Sequence, residues 1–327
     1  MKLATLKVGG RDGSLVAVSR DLSRAASAAT VVPTMLEALE HWDETAPALE
    51  ALCDALNNNA APGSFAFDQR ACAAPLPRAN QWLDASTYGA HGKLMKASLK
   101  LERQPHADFP LLLQGMPSDF LGPFDDEPLP SDDVDIDFEC EIGVITGAVP
   151  ARPTLDQAGA AIRLLVMLND WTLRGVVPKE IASGFGFMRA KAPVAFGAVA
   201  ITPDEAGEAW RNFRLNVRAK IWYNGKPWGD VSAAGMDYGF DQLVAEVASN
   251  RRVLPGTIIG SGSISEGDPA KVGASNVAEV RGYEIITTGA PSSPYVHFGD
   301  VVRMETLDAD GGSLFGVIEQ RAVKAPE

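Results

Sequence analysis

The chain has 327 residues, a formal net charge of −13 and an isoelectric point near 4.8. Hydrophobic residues make up 46% and charged residues 22%, which suits a globular protein with one large domain and a small one. The acidic balance argues against nucleic acid or an anionic membrane as a partner. Three sparse cysteines, a polar N-terminus and no long apolar run predict a cytoplasmic protein with reduced thiols.

The first 75 residues are expected to form a small separate domain. Residues 2–18 alternate around a glycine-rich turn, which predicts a β-hairpin. Apolar residues recur at helical spacing in residues 32–42 and again in 45–56, so two amphipathic helices should follow. An Asn- and Pro-containing loop at 57–63 then leads toward the main domain.

An acid and a histidine stand close together after this boundary. Asp84 ends an extended run, and residues 88–100 could form a helix that carries His91. Taken without further context, His91 is equally well explained as a packed or exposed helix histidine.

Residues 136–147 alternate in the manner of a β-strand and place two acids on one face. Glu139 and Glu141 are two positions apart, so they project together while the apolar residues between them project the other way. Neighbouring carboxylates repel each other and lose solvation. Exposure to water, a basic partner or a cation would each make this arrangement tolerable.

Residues 164–174 form an apolar run that ends abruptly in Asn-Asp. This pattern predicts a buried strand that delivers Asp170 to the rim of a pocket, with Arg174 four residues later. Together with Glu139 and Glu141, Asp170 would create an all-oxygen site that suits Mg²⁺ or Ca²⁺ better than Zn²⁺.

Two glycine-rich segments follow. Residues 184–193 carry Lys191 but no G-K-[ST] sequence, so they are not a P-loop, and the lysine could equally be a solvated loop residue. In residues 260–265, which include Ser263, the glycines would let backbone approach a ligand or a metal.

The second half of the chain is rich in short strands. Residues 213–222 alternate, Asn224-Gly225 is a hairpin signal, and residues 241–249 have the spacing of a short helix. Few long helices occur between residues 75 and 325, which favours a mixed β-roll over alternating β-α-β units.

Four motifs, in this order, resemble the fumarylacetoacetate hydrolase family. They are the acid seven residues before His91, the D-F-E-x-E run that begins at Asp137, the N-D-W-[ST]-x-R run that begins at Asn169, and a G-[ST]-G-T-[IV]-S-like loop at 260–265. The similarity extends over roughly residues 75–325.

The resemblance implies the fold and the assembly. We expect an α+β, mainly β protein, with a mixed β-roll of the fumarylacetoacetase type at residues 76–327. A small SH3-like α/β cap would occupy residues 1–75. The family forms homodimers through the larger domain, so a homodimer is expected here.

The resemblance also implies a divalent-cation site. Mg²⁺ or Ca²⁺ would be the ion, with Mn²⁺ as a further candidate. The implied ligands are Asp84, Glu139, Glu141 and Asp170.

The remaining implied roles concern catalysis and substrate binding. His91 would be the general base, oriented by Glu279, for which Glu284 is the alternative. Lys191 would stabilise the leaving enolate. Arg174 would clamp a substrate carboxylate, and Ser263 would be a second substrate-binding residue.

The implied activity is metal-dependent hydrolysis of a carbon–carbon bond in a fumarylacetoacetate-like 1,3-diketo acid, as in tyrosine catabolism and aromatic degradation. Several substrate-contacting positions depart from that branch of the family. Ser86 replaces a tyrosine, Lys100 an arginine and Ala195 a threonine, and residues 111–118 lack a Y-H-G-R sequence.

These departures leave the metal chemistry unchanged and the substrate open. Acylpyruvate hydrolase, 2-oxo acid decarboxylase and hydratase are therefore alternatives, as is a metal-stabilised binding protein without turnover. Retention of His91 favours hydrolysis.

Overall fold

The protein is mainly β, with helices packed around two large sheets, as expected. The computed structural model describes residues 1–100, 109–117, 119–308 and 310–326. In the first half of these ranges the strands are β1 (Lys2–Leu6), β2 (Ser14–Val18), β3 (Arg24–Ser27), β4 (Phe65–Ala66), β5 (Gln81–Ser86), β6 (Leu111–Gly115), β7 (Glu127–Leu129), β8 (Ile136–Asp137), β9 (Cys140–Thr146) and β10 (Ile162–Asn169). In the second half they are β11 (Thr172–Leu173), β12 (Ala195–Phe196), β13 (Ala200–Ile201), β14 (Trp210–Arg211), β15 (Arg214–Leu215), β16 (Arg218–Tyr223), β17 (Lys226–Ser232), β18 (Thr257–Gly260), β19 (Val301–Leu307) and β20 (Ser313–Lys324).

The helices are short apart from α2 and α8. They are α1 (Met35–Glu40), α2 (Trp42–Asn57), α3 (Gly89–Ser98), α4 (Leu155–Ala160), α5 (Val177–Ser183), α6 (Phe240–Val247), α7 (Pro269–Val272) and α8 (Val277–Thr288). Short 3-10 turns occur at Gln69–Ala71, Asp132–Val134, Pro203–Ala209 and Ala233–Gly235. The predicted helices near residues 32–42, 45–56, 88–100 and 241–249 are thus all present, with shifted ends.

One mixed sheet of eleven strands contains the strands from which the site is built. Its order is β4-β3-β2-β1-β13-β10-β9-β18-β5-β6, with β12 paired to β10. Strands β5 and β18 are parallel, whereas β9 runs antiparallel to both β10 and β18. The first four strands continue this sheet without a break. The domain boundary near residue 75 and the SH3-like character of the first segment stay predictions.

A second sheet has five strands in the order β17-β16-β19-β20-β7. Its hairpin between β16 and β17 turns at Asn224 and Gly225, whose φ angles are 51° and 73°. A two-residue type I′ turn requires positive φ at both positions, so the hairpin predicted from Asn-Gly is confirmed. Two further pairs, β8 with β11 and β14 with β15, complete the sheet structure of the described ranges.

The large sheet separates two buried apolar clusters. Along β10, Leu164 and Val166 belong to the cluster covered by α1 and α2, whereas Leu165 and Met167 belong to the cluster on the other face. Glu141 lies directly opposite Leu168 in the ladder, so its side chain points to the α1–α2 side, near the strand ends.

Cys53, Cys72 and Cys140 are buried free thiols. Within the described ranges, no helix is both long enough and apolar enough to cross a membrane.

Candidate active site

Four buried acids meet where β5, β9 and β10 come together. One carboxylate oxygen from each of Asp84, Glu139, Glu141 and Asp170 lies within 4.8 Å of the others. None of these residues is more than 5% exposed. The structure therefore brings together all four expected metal ligands, and their role as ligands stays a prediction.

The end of β10 fixes the relative position of two of these acids. Glu139 lies one residue before β9 instead of within it, because the side-chain oxygen of Asn169 accepts its backbone N–H at 3.0 Å. The N–H of Asp170 donates to the carbonyl oxygen of Glu139, also at 3.0 Å. Asn169 is itself held, since its amide donates to Gln320 at 3.1 Å. The Asn-Asp pair thus locks Glu139 against Asp170.

The glycine loop after β18 makes room for the acids. A Cβ on Gly260 would lie 2.8 Å from Glu141 Oε2 and 3.2 Å from Asp84 Oδ1. Gly262 has a φ of +79°, and its N–H donates to Glu141 Oε2 at 3.1 Å. Glycine thus lets the backbone come close to two carboxylates, whereas the predicted approach to a ligand or a metal stays a prediction.

Lys191 lies inside the cluster and is not a solvated loop lysine. Its Nζ is 2.6 Å from Glu139 Oε2 and 2.5 Å from Asp170 Oδ2, and it donates to Thr172 Oγ1 at 2.9 Å. Burial alone would lower the pKa of Lys191, but the surrounding acids outweigh it and raise that pKa. The lysine is therefore a fixed positive charge, available for the predicted role of stabilising an enolate.

Arg174 is buried and forms two ion pairs. Its Nε lies 2.9 Å from Asp137 Oδ2, and its Nη2 lies 2.5 Å from Glu139 Oε1. The structure thus gives Arg174 a role that the sequence analysis missed, which is to hold Glu139 in place. Its predicted role as a substrate clamp stays a prediction, and the two ion pairs leave Nη1 for it.

The four acids differ in charge because their surroundings differ. For Glu139, the charges of Arg174 and Lys191 outweigh burial and hold the pKa far below its usual range. Burial, only partly offset by Lys191, raises the pKa of Asp84 to about 7 and that of Asp170 to about 6. Burial also raises the pKa of Glu141, and the charge of Asp84 adds to the effect. Three of the four acids thus hold protons readily unless another cation neutralises them.

Unpaired oxygens in the cluster test whether a cation fits. Among the described residues, Asp84 Oδ1, Glu141 Oε1 and Asp170 Oδ1 are buried without a hydrogen-bond partner. A buried acceptor left in this state costs about 1–3 kcal/mol. The cluster offers carboxylate oxygens only, which are the ligands that hard divalent cations such as Mg²⁺, Ca²⁺ and Mn²⁺ prefer. The residues therefore fit a divalent cation.

A histidine–glutamate pair stands beside the acids. His91 on α3 has its Nδ1 2.9 Å from Oε1 of Glu279 on α8. Glu279 is 2% exposed, and its backbone N–H donates to the N-cap residue Asn276 at 2.8 Å. The alternative partner, Glu284, instead accepts hydrogen bonds from Ser292 and Ser293. The structure thus places Glu279, and not Glu284, next to the histidine.

Asp137 connects the acid cluster to this pair, and the sequence analysis assigned it no role. Its Oδ1 accepts the N–H of Val277 at 2.7 Å, and its Oδ2 accepts that of Ala278 at 3.0 Å. These are the first two residues of α8, so Asp137 satisfies that helix N-terminus while it also pairs with Arg174. Asp137 is the first residue of the D-F-E-x-E motif, and this position is the sequence feature that could have pointed to its role.

Gly282 on α8 is a second residue whose role was not predicted from the sequence. A Cβ at Gly282 would lie 2.3 Å from the carbonyl oxygen of Leu94 on α3. The glycine therefore allows α8 and α3 to pack closely enough for His91 and Glu279 to form their hydrogen bond.

One cavity of about 810 Å³ lies beside these groups, and some of them line it. It is bordered by Asp84, His91, Glu139, Arg174, Lys191 and Ser263. Ser263 is 2% exposed, and no described residue hydrogen-bonds its Oγ. A small molecule in the cavity could reach the acids, the fixed lysine and the histidine at once.

Residues 1–78 match the model described as "Fumarylacetoacetase N-terminal domain 2", and residues 81–322 match that of the "Fumarylacetoacetate (FAA) hydrolase C-terminal" domain. No curated protein matched the chain.

Solved structures share the fold along the whole chain. A fumarylacetoacetate hydrolase from Exiguobacterium antarcticum is 19% identical with a TM-score of 0.68, and all of both chains is covered. A maleylpyruvate hydrolase from Sphingobium sp. SYK-6, in complex with manganese(II) and pyruvate, is 18% identical with a TM-score of 0.66, also over all of both chains. A 2-hydroxyhepta-2,4-diene-1,7-dioate isomerase from Mycobacterium marinum is 14% identical with a TM-score of 0.60, again over all of both chains.

The C-terminal family model spans most of the chain and contains every residue of the cluster and of the histidine–glutamate pair. The protein therefore belongs to the fumarylacetoacetate hydrolase family.

Proposed function

We propose that the protein is a metal-dependent hydrolase that cleaves a 1,3-diketo acid at the carbon–carbon bond between its acyl carbonyl carbon and the carbon that separates the two carbonyl groups. One observation carries this proposal. Four buried acids lie together, three of them with an unpaired oxygen, and two of the four, Asp84 and Glu139, border the same cavity as His91, which pairs with Glu279.

The acids define what the site would hold. The residues that would bind the cation are Asp84, Glu139, Glu141 and Asp170. When bound, a divalent cation supplies positive charge to the oxygens of a 2-oxo acid group. The maleylpyruvate hydrolase that shares the fold was solved with manganese(II) and pyruvate, which supports both a divalent ion and a substrate with a 2-oxo acid end.

His91 acts as the base. Its Nδ1–H donates to Glu279, which leaves Nε2 to take a proton from a water molecule in the cavity. The water oxygen bonds to the carbonyl carbon of the acyl arm, and the carbon–carbon bond beside that carbonyl breaks. The electron pair of the broken bond leaves as an enolate. His91 then returns its proton to the enolate carbon, so one water yields two acids.

Lys191 and the substrate-binding residues complete the assignment. The ammonium group of Lys191 is positioned to stabilise the negative charge that develops on the enolate. Nη1 of Arg174 and the hydroxyl group of Ser263 bind substrate oxygens. Because Arg174 also fixes Glu139, it orients the acid cluster relative to the substrate.

The histidine–glutamate pair favours hydrolysis over decarboxylation and over metal binding without turnover. Decarboxylation of a 2-oxo acid needs charge stabilisation but no base to activate water. A protein that only bound a metal would need neither His91 nor a cavity of this size. The proposed setting is aromatic degradation in the cytoplasm, by a homodimer with a domain boundary near residue 75.

A substrate panel tests the proposal. Purified protein is given fumarylacetoacetate or an acylpyruvate, with Mn²⁺ or Mg²⁺ and then with a chelator, and loss of the enol absorbance is followed. We expect loss with at least one 1,3-diketo acid that requires the metal and disappears in His91→Ala. Absence of turnover with every 1,3-diketo acid, on protein shown by titration to be metal-loaded, would overturn it.

A further inference from the structure

The cavity wall next to the acid cluster is apolar on its edge-strand side. In the β5–β6 ladder, Asp84 lies opposite Leu113 and Ser86 lies opposite Leu111. Directly opposite residues of an antiparallel pair share one face of the sheet. Both leucines therefore flank the face that carries the metal-binding acid, and both are partly exposed to the cavity.

Apolar side chains from a second element also line the cavity. Val177 and Ile181 belong to α5, and Phe187 lies in the loop that follows it. Ile181 is 41% exposed. Val177 is buried, but Ile181, Phe187 and the two leucines leave apolar surface in contact with water, and an apolar ligand group would remove that surface from water.

The positive charges of the described part of the wall are ill placed for a second carboxylate. The buried cations Arg174 and Lys191 are already ion-paired with acids of the cluster or next to it. Lys96 and Arg251 are exposed. Arg251 follows α6, which packs on the opposite face of the sheet, and its Nε donates to Asn250. A carboxylate against Leu111 and Leu113 would lose solvation without gaining a buried partner.

We infer that the substrate is a monocarboxylic 2,4-dioxo acid whose acyl arm is an alkyl or aryl group, seated against Leu111 and Leu113. The inference rests on the proposed function and adds the substrate class. The 2-oxo acid end faces the acid cluster, and the arm extends along β6. One structure that shares this fold is an isomerase named for a 1,7-dioate, which is a compound with two carboxylates. An apolar arm in place of the second carboxylate would distinguish the substrate of this protein from that compound.

Two substrates of equal shape test the inference. The full-length, Mn²⁺-loaded protein is assayed with 4-methylpentanoylpyruvate and with succinylpyruvate, whose arms differ only in an isopropyl group against a carboxylate. We expect kcat/KM to favour the apolar arm by about tenfold or more, because a buried unpaired carboxylate is strongly disfavoured. Equal or greater kcat/KM for succinylpyruvate would overturn the inference and leave the proposed function standing. If the loaded protein cleaved neither substrate but cleaved fumarylacetoacetate, the inference would fail and the proposed function would stand, whereas loss of all three activities would overturn both.

Variants on β6 connect the preference to the wall. Leu113→Ala should lower the ratio of the two kcat/KM values several-fold by removing apolar contact, and Leu111→Arg should shift it further toward succinylpyruvate. Leu155→Ala is the control, because Leu155 is exposed on α4 and does not border the cavity. If the ratio in folded Leu113→Ala equalled that in Leu155→Ala, the arm would not lie where we place it, whether or not Leu111→Arg folds.

Discussion

Glu139 shows how two basic residues divide the acids of the site into two kinds. Arg174 and Lys191 both contact it, so it stays ionised, whereas the pKa values of Asp84, Glu141 and Asp170 are raised. In the proposed metal site, the permanently charged acid would anchor the cation, and the other three would complete the site once they lose their protons. Binding of the metal should therefore release protons near neutral pH.

The raised pKa values predict how stability depends on pH. Without metal, Asp84 and Asp170 bind protons more tightly in the folded state than in the unfolded state, where carboxyl pKa values lie near 4. Their contribution to stability is therefore fully present below about pH 4 and is lost as the pH rises toward about 7. We expect the Tm of chelator-treated protein to fall over this window, and Mn²⁺ to raise Tm more at pH 8 than at pH 5. A Tm gain from Mn²⁺ that is larger at pH 5 would contradict the assignment.

The histidine–glutamate pair gives a second prediction at the residue scale. His91→Asn removes the proposed base, and Glu279→Gln removes the charge that orients it, so kcat should fall by roughly 10²–10⁴-fold. The Kd for Mn²⁺ should change little, because neither side chain belongs to the acid cluster. Steady-state kinetics and metal titration on the same preparations separate the two effects. Loss of metal affinity equal to the loss of kcat would show that the pair is structural.

The site residues that could be predicted from the sequence were those marked by the spacing of acidic and apolar residues. The alternation of residues 136–147 placed Glu139 and Glu141 on one face, and the abrupt end of an apolar run singled out Asp170. Spacing could not reveal the burial of Lys191 or the two ion pairs of Arg174, because both arise from contacts between distant segments. Spacing also could not show that His91 pairs with Glu279, because the packing of α3 against α8 brings these two residues together.

At the scale of elements, α8 is positioned by Asp137. The carboxylate of Asp137 accepts two backbone N–H groups of the helix and an ion pair from Arg174, so it ties the acid cluster to the helix that carries Glu279. The D-F-E-x-E motif that contains Asp137 is visible in the sequence, but the contacts of Asp137 are not, because its partners lie more than thirty residues away.

Replacing Asp137 tests this connection. Asp137→Ala leaves Arg174 with one buried acid fewer and two helix N–H groups unsatisfied, so we expect a loss of about 3–5 kcal/mol of stability. Asp137→Asn keeps the shape and should lose less stability while lowering kcat. The exposed helix-start residue Asp156, changed to Ala, is the matched control and should stay within about 0.5 kcal/mol of the wild-type protein. Equal stability of Asp137→Ala and Asp156→Ala in denaturant titrations would refute the role.

Short secondary-structure elements were predictable where the local signal was strong. The Asn224-Gly225 turn and the first hairpin both occur as the sequence indicated. The order of strands in the large sheet could not be predicted, since β5 pairs with β18 across more than 170 intervening residues. That long-range pairing is what brings Asp84 to Glu141.

At the scale of the whole molecule, the N-terminal segment continues the main sheet. Strand β1 pairs with β13, and α1 and α2 cover an apolar face that includes Trp82 and Phe196. Removing residues 1–75 would expose that face and leave β13 as an edge. A chain limited to residues 76–327 should therefore be insoluble or unfolded, as checked by circular dichroism after expression. A soluble, cooperatively folding product would show that the boundary near residue 75 separates independent domains.

The central claim is that water cleaves a carbon–carbon bond at this site, and isotope labelling tests it most directly. The Mn²⁺-loaded protein is given an acylpyruvate in H₂¹⁸O, and the products are identified by mass spectrometry. The account predicts two acids, with one ¹⁸O from water in the new carboxylate of the acyl fragment. Release of carbon dioxide, or a single product of unchanged mass, would contradict hydrolysis and indicate decarboxylation or isomerisation.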